Sequence, residues 1–452
     1  MTKLFYSVLA NTLVASITNT FVWFAVTFWV YLQTRSVIAT SVMAGIYTVT
    51  VAFSGFLLGS LVDRYPKKTA MMLSSLGSFL LYAIACALYI STPEEVFSNP
   101  SSVQLWAFVV LILTGAIAGN LRGIALVTLI TRFFREEERD KANGLVGSAN
   151  GVAFLVGSIV SGMIIGFLGV VGMLVSALAL TLLVIVHLWS LAIPEQEGSH
   201  SEAHTNSVDL RGTIQAIQLV PGLFGLIFFH TFNNFLGGIF MALMDAYGLE
   251  LVSVQVWGAL WGFLSLAFIL GGLIVAKKGL GRNPLQTLFL ANIAIWTICI
   301  FFTIQASIVL FTVGMFIFLC LMPVIEASEQ TILQKVIPPD RQGRVFGFAQ
   351  SVEQSATPLT AFLIGPIAQW FFIPYMTTGA GVALLGGWFG TGVDRGMALL
   401  FTVAGFIGLL VTLFAMGSRS YRALSSIYQR ETAADEDLVG EVGELQLTGE
   451  CG

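Results

Sequence analysis

The chain has 452 residues, of which 56% are hydrophobic and only 10% charged, and its mean hydropathy is +0.87. That composition excludes an ordinary soluble domain and a disordered chain. The formal net charge of −4 says nothing about a nucleic-acid partner, and in the absence of an extended basic stripe none is expected.

Apolar runs near or above the length that crosses a hydrocarbon core predict spans at 5–33, 37–62, 69–90, 105–131, 143–168, 170–192, 214–247, 251–276, 284–304, 306–333, 344–373 and 396–418. The first run is too long for a signal-peptide core and lacks a small-residue cleavage site, so it reads as a retained span. In lipid a helix satisfies its own backbone groups, and the ten-residue alternating segments of a barrel are absent. The predicted fold class is an all-α membrane protein of twelve transmembrane helices.

Stretch 193–213 is polar and aperiodic. It divides the chain into an N-terminal six-helix bundle (1–192), a cytoplasmic linker and a C-terminal six-helix bundle (214–418). Residues 419–452 turn acidic, with Glu431, Asp435, Glu436, Asp437, Glu441 and Glu444, and read as a disordered cytoplasmic tail. With the N-terminus inside, 18 of the 21 lysines and arginines collect on one face. Arg35 and Arg395 lie opposite, and Arg122 falls inside a span. The positive-inside rule then puts both termini in the cytoplasm. The expected location is a plasma (inner) membrane of bacterial type.

An offset of 203 residues superposes Lys141 on Arg344, Gly144 on Gly347, Ser148 on Ser351 and Gly162 on Gly365. The fifth span thereby repeats in the eleventh, as expected of two related halves with a binding site between them.

The four cysteines, Cys86, Cys299, Cys320 and Cys451, show no CxxC or Cys/His spacing, so no zinc site and no disulfide framework is predicted. No Gly-rich phosphate loop, nucleophile elbow or loop metal cluster occurs. These absences predict no cofactor, no metal and no enzyme, and argue against an ATP-driven pump within this chain.

The loop Gly59-Ser60-Leu61-Val62-Asp63-Arg64-Tyr65-Pro66-Lys67-Lys68 concentrates charge between two apolar runs. It resembles the loop between helices 2 and 3 of major facilitator superfamily transporters, with Pro66 where the family usually has Gly. A looser second copy, Gly271-Gly272-Leu273 followed by Lys277, Lys278 and Arg282, has no Asp. Three further stretches resemble the macrolide-efflux and enterobactin-exporter subgroup of drug:proton antiporters. They are Glu138-Arg139-Asp140-Lys141-Ala142-Asn143-Gly144-Leu145, Arg341-Gln342-Gly343-Arg344-Val345-Phe346-Gly347 and Gly390-Thr391-Gly392-Val393-Asp394-Arg395-Gly396. The resemblance implies two pseudo-symmetric six-helix bundles. It also implies a cytoplasmic gate of Gly59, Asp63, Arg64, Lys67 and Lys68, with Asp63 closing against the start of helix 11. Gly157-Ser158-Ile159-Val160-Ser161-Gly162 partly matches the family's exporter signature in helix 5 but lacks its Pro, which leaves small-residue packing as an equal reading.

Ionisable residues at mid-membrane are costly and invite a functional reading. Arg122 and Glu326 differ by nearly the repeat offset, and Glu353 lies in the eleventh span. The sequence nominates Arg122 with Glu326 or Glu353 as a proton-coupling or static ion pair. Glu329 reads as solvated near the surface, Asp245 as interfacial, and His230 as a hydrogen-bonded residue in a patch with Asn233 and Asn234. Asn19, Trp23, His230, Asn233 and Asn234 are the candidate lining of a substrate cavity, whose aromatic walls and amides suit a bulky, mostly apolar ligand.

The functional expectation is a secondary-active transporter working by alternating access as a monomer in the lipid bilayer. It would be a proton-coupled exporter of amphipathic small molecules of drug or siderophore type, with multidrug resistance as its outcome. An importer or facilitator of another solute, or a lysophospholipid flippase on the same scaffold, stays open.

Overall fold

The computed structural model describes residues 3–119, 121–123, 125–126, 129, 136–193, 214–215, 217–337 and 339–429; for 52–64, 136–144, 339–344 and 347 it describes the backbone alone. Among these residues every regular element is a helix. Glycine sets the sharpest break. Helix Glu136–Ser190 reverses at Gly169, whose φ of 64° and ψ of −164° suit a residue without a Cβ. We number its arms α5 (136–168) and α6 (170–190). The others are α1 (Lys3–Thr34), α2 (Val37–Arg64), α3 (Lys67–Ser91), α4 (Val103–Ala118), α7 (Leu223–Leu251), α8 (Val254–Lys278), α9 (Pro284–Phe301), α10 (Ile308–Val336), α11 (Pro339–Ile367) and α12 (Val393–Met416).

Capping residues mark several starts. Ser36, Ser102 and Ser307 accept from the backbone N–H of Ala39, Leu105 and Leu310, at 3.2, 3.4 and 3.3 Å. Asn283 caps α9 and Pro284 fills its first turn. The helix ends where α1 meets α2 form one rim of the bundle, and those where α2 meets α3 form the other.

Among the described residues ten helices are long and apolar enough to cross a membrane, with the bent 145–190 segment counted once. The described part of α2 adds a shorter apolar helix, Val37–Val51. Two sequence boundaries move. The seventh span was expected from 214, but α7 starts at Leu223, because Pro221 and Gly222 (φ 92°) interrupt the helix. The disordered tail was expected from 419, but residues 419–429 are helical. Tyr421, Leu424 and Tyr428 recur at helical spacing. Leu424 is fully buried, Tyr421 meets Phe289 edge-on at 5.0 Å, and Ser425 Oγ accepts from Asn283 Nδ2 at 3.3 Å. The acidic composition of the last two dozen residues conceals that short apolar face in the sequence. Residues 430–452, and 194–213 of the expected linker, lie outside the described residues.

α1 packs along α5 and α6, and α3 along α4 and α6; in the second half α7 packs with α11 and α12, and α9 with α10 and α12. The halves meet through α5 on α8 and α2 on α11, with α1 and α2 also touching α7. At both seams glycine lets helices approach closely. A Cβ on Gly162 would lie 2.5 Å from the Val254 carbonyl, and one on Gly365 would lie 1.8 Å from Ser41 Oγ. Across the same rim Tyr31 and Arg35 both reach Glu250 Oε1, at 2.8 and 3.3 Å.

A buried carboxylate–imidazole cluster and a polar cavity

α7 carries His230 one helical turn before Asn233 and Asn234. α10 carries Glu326 about one turn and Glu329 nearly two turns beyond Pro323, and α11 carries Glu353. Where the three helices converge, His230 Nδ1 bonds Glu329 Oε2 at 3.0 Å, and the Glu353 carboxylate stands beside them. One ligating atom from each of the three lies within 4.8 Å of the other two. Their side chains are almost wholly withdrawn from solvent, His230 at 9% exposure and Glu329 at 13%. His230 Nε2, Glu329 Oε1 and Glu353 Oε1 find no hydrogen-bond partner among the described residues.

This revises three sequence readings. Glu329, taken as solvated, is central. Glu326, nominated for coupling, is exposed beside the cluster. His230 bonds a carboxylate rather than the neighbouring amides. Of those amides, Asn233 joins the Phe229 carbonyl to Trp296 Nε1, both at 2.8 Å, and Asn234 donates to the Glu353 carbonyl at 3.3 Å.

The sequence placed Arg122 opposite Glu326 or Glu353, and this conformation does not bring them together. Arg122 is buried in the first half. It donates to Asn11 Oδ1, to Ser75 Oγ at 2.6 Å and to the Met71 carbonyl at 3.5 Å. Asn11 continues the chain to His187 Nδ1 at 2.9 Å.

Beside Arg122, α1, α5 and residues Gly119, Gly123 and Leu126 beyond α4 line a cavity of about 520 Å³, with Thr12, Ser16, Asn19, Thr20, Asn150 and Phe154 in its wall. Asn19, a nominated lining residue, is there and also accepts from Tyr82 Oη at 3.3 Å. Trp23 stands one turn away and packs on Tyr47 at 5.3 Å. Phe154 carries the cavity wall to the second half through Trp261, 6.0 Å between ring centres.

Two further ionisable residues are buried and hydrogen-bonded. Asp245 Oδ1 accepts from the indoles of Trp257 and Trp261 at 2.9 and 2.8 Å. Arg395, read as an outer-loop charge, is buried against Tyr247 Oη at 2.7 Å and the Thr303 carbonyl at 2.9 Å. In the gate loop, Lys68 Nζ donates to the Leu191 and Trp189 carbonyls at 2.6 and 3.3 Å, which ties the start of α3 to the end of α6. Lys67 opens α3; of Gly59, Asp63, Arg64 and residues 339–344 at the start of α11 only the backbone is described.

The family profile described as the Major Facilitator Superfamily matches residues 8–361. No curated protein sequence matches the chain. Among solved structures, a bacterial homolog of the human lysosomal transporter Spinster, in an inward-facing and unoccupied conformation, superposes with a TM-score of 0.63. It is 13% identical, and the match covers 95% of this chain and 99% of that one. The nucleoside transporter NupG gives 0.64 at 11% identity, over 91% and 100% of the two chains. A D-xylose-proton symporter gives 0.59 at 15%, over 90% and 95%. At such identities the likeness is one of fold, and the profile match over most of the chain supplies the kinship. With its helices, seams and paired halves in place, the chain belongs to the Major Facilitator Superfamily and is a multi-pass membrane transporter.

Proposed function

We propose that the protein is a proton-coupled exporter of amphipathic small molecules, working by alternating access. The observation that carries this reading is the His230–Glu329–Glu353 cluster, three titratable groups buried where α7, α10 and α11 converge. Protonation removes net charge from such a group, so proton occupancy biases how the halves pack. The 520 Å³ cavity supplies hydroxyls, two amides and an aromatic wall, a lining that favours a neutral or weakly charged amphipath. The efflux-type loops at 138–145, 341–347 and 390–396 support the outward direction, and the Lys/Arg asymmetry supports a cytoplasmic α2–α3 rim. In this reading the chain acts as a monomer in a bacterial inner membrane. Residues 1–192 and 214–418 form the two bundles, and the Asp63 loop latches the cytoplasmic side.

Cells lacking their own pumps and expressing the chain test the proposal with radiolabelled erythromycin. Lower steady-state uptake that an uncoupler abolishes supports it. Raised uptake would show import, and uncoupler-insensitive efflux would remove proton coupling.

A further inference from the structure

We propose that His230, Glu329 and Glu353 also form a divalent transition-metal site that takes Zn²⁺. The donor set is one imidazole and two carboxylates, a combination suited to Zn²⁺ with a fourth position left open. Bonds of about 2.1 Å to a tetrahedral ion put ligand atoms roughly 3.4 Å apart. The three already lie within 4.8 Å of one another, little more than that spacing.

Charge makes the same point. Two ionised carboxylates and a neutral imidazole match a dication, and the occupied site is neutral in a place where net charge is costly. The second, independent observation is the set of orphaned atoms. Nε2 of His230 and Oε1 of both glutamates are buried without a hydrogen-bond partner among the described residues, as is Oγ of neighbouring Ser328. Buried polar atoms seldom stay unpaired, and a metal with its bound water satisfies several together. Positions around the cluster are supported from outside. The Glu353 backbone carbonyl accepts from Asn234, and Asn233 is fixed by Trp296. Of the other charged groups on these helices, Glu326 lies one turn from Glu329 and is exposed, where it can meet an arriving cation.

Metal binding here does not depend on the transport reading; only an effect of the metal on efflux does. Competition against a chromophoric zinc chelator, on the purified full chain with His200→Gln and His204→Gln removing the linker histidines, measures it directly. One Zn²⁺ per chain is expected. His230→Gln, Glu329→Gln or Glu353→Gln should each weaken it at least tenfold, Asp245→Asn should leave it unchanged, and excess Mg²⁺ should not displace it. Unchanged affinity in all three variants overturns the site. X-ray absorption on the unsubstituted cluster guards against misfolded variants. A first shell of nitrogen and oxygen with one imidazole is expected, and a sulfur shell, placing the metal on cysteine, overturns it. If Zn²⁺ binds as described but leaves uncoupler-sensitive erythromycin efflux untouched, the metal site stands and the proton-coupling role of the cluster fails.

Discussion

Gly162 of α5 and Gly258 of α8 bring the two halves of the protein into backbone contact: a Cβ on Gly258 would lie 2.9 Å from the Gly162 Cα. A helix pair can approach this closely only where both partners lack side chains. The exporter-like segment 157–162 therefore has a seam function in this conformation. Gly162→Val should wedge the seam apart at a cost of about 1–3 kcal/mol, lowering the closed-rim population roughly fivefold to 150-fold. Cysteine accessibility across the rim measures the change, while an unaltered circular dichroism spectrum confirms that the helices remain.

The ion pair on the same rim is a weaker device. Arg35 is 62% exposed and Glu250 28%, and exposed pairs contribute about 0–1 kcal/mol. Glu250→Gln should shift the same accessibility by no more than about fivefold. A larger effect would mean that charge, not helix packing, closes this rim.

Asp245 separates structural from functional acids. Asp245→Asn keeps the oxygen that receives both indoles and should preserve stability and efflux. Asp245→Ala orphans two buried donors, Trp257 Nε1 and Trp261 Nε1, and should cost about 1–3 kcal/mol for each donor left unmet. Thermal melts in detergent give the ordering. Glu329→Gln should behave in the opposite way, losing uncoupler-sensitive efflux with a smaller change in melting temperature.

Arg122 is embedded in a network rather than paired with a carboxylate among the described residues. Arg122→Met should leave the Asn11 Oδ1 acceptor unpaired and cost about 1–3 kcal/mol. Arg122→Lys should cost less, because an ammonium can keep one of the three contacts but not the fork. Melting temperatures ranked Arg, Lys, Met confirm this; equal values would show that the network contributes nothing.

The sequence disclosed whatever depends on local composition. Apolar run length gave the spans, and Gly169 fell in the single residue left between the fifth and sixth. It could not disclose what depends on helix rotation. His230, Glu329 and Glu353 sit on three helices remote in sequence, and only packing turns them toward one point. Glu326 and Glu329 share a helical face by spacing alone, so sequence could not decide which of them is buried. The repeat offset pointed to Arg122 and Glu326 as equivalents, but equivalence under pseudo-symmetry is not contact. Arg395 misled for a related reason. Loop charges ordinarily face water, and this one is held inward by Tyr247 and the Thr303 carbonyl. One available signal went unused: the spacing of Tyr421, Leu424 and Tyr428 marks an amphipathic turn within an otherwise acidic tail.

Spin-label distances across the α1–α2 rim test the central claim of proton-driven alternating access most directly. Val103→Cys and Val309→Cys place labels at exposed starts of α4 and α10, one in each half, with the four native cysteines replaced by Ser. In proteoliposomes the account predicts two distance populations whose ratio changes between about pH 8 and about pH 5. Glu329→Gln with Glu353→Gln should abolish that response. A single distance, indifferent to pH in the unaltered cluster, would contradict it.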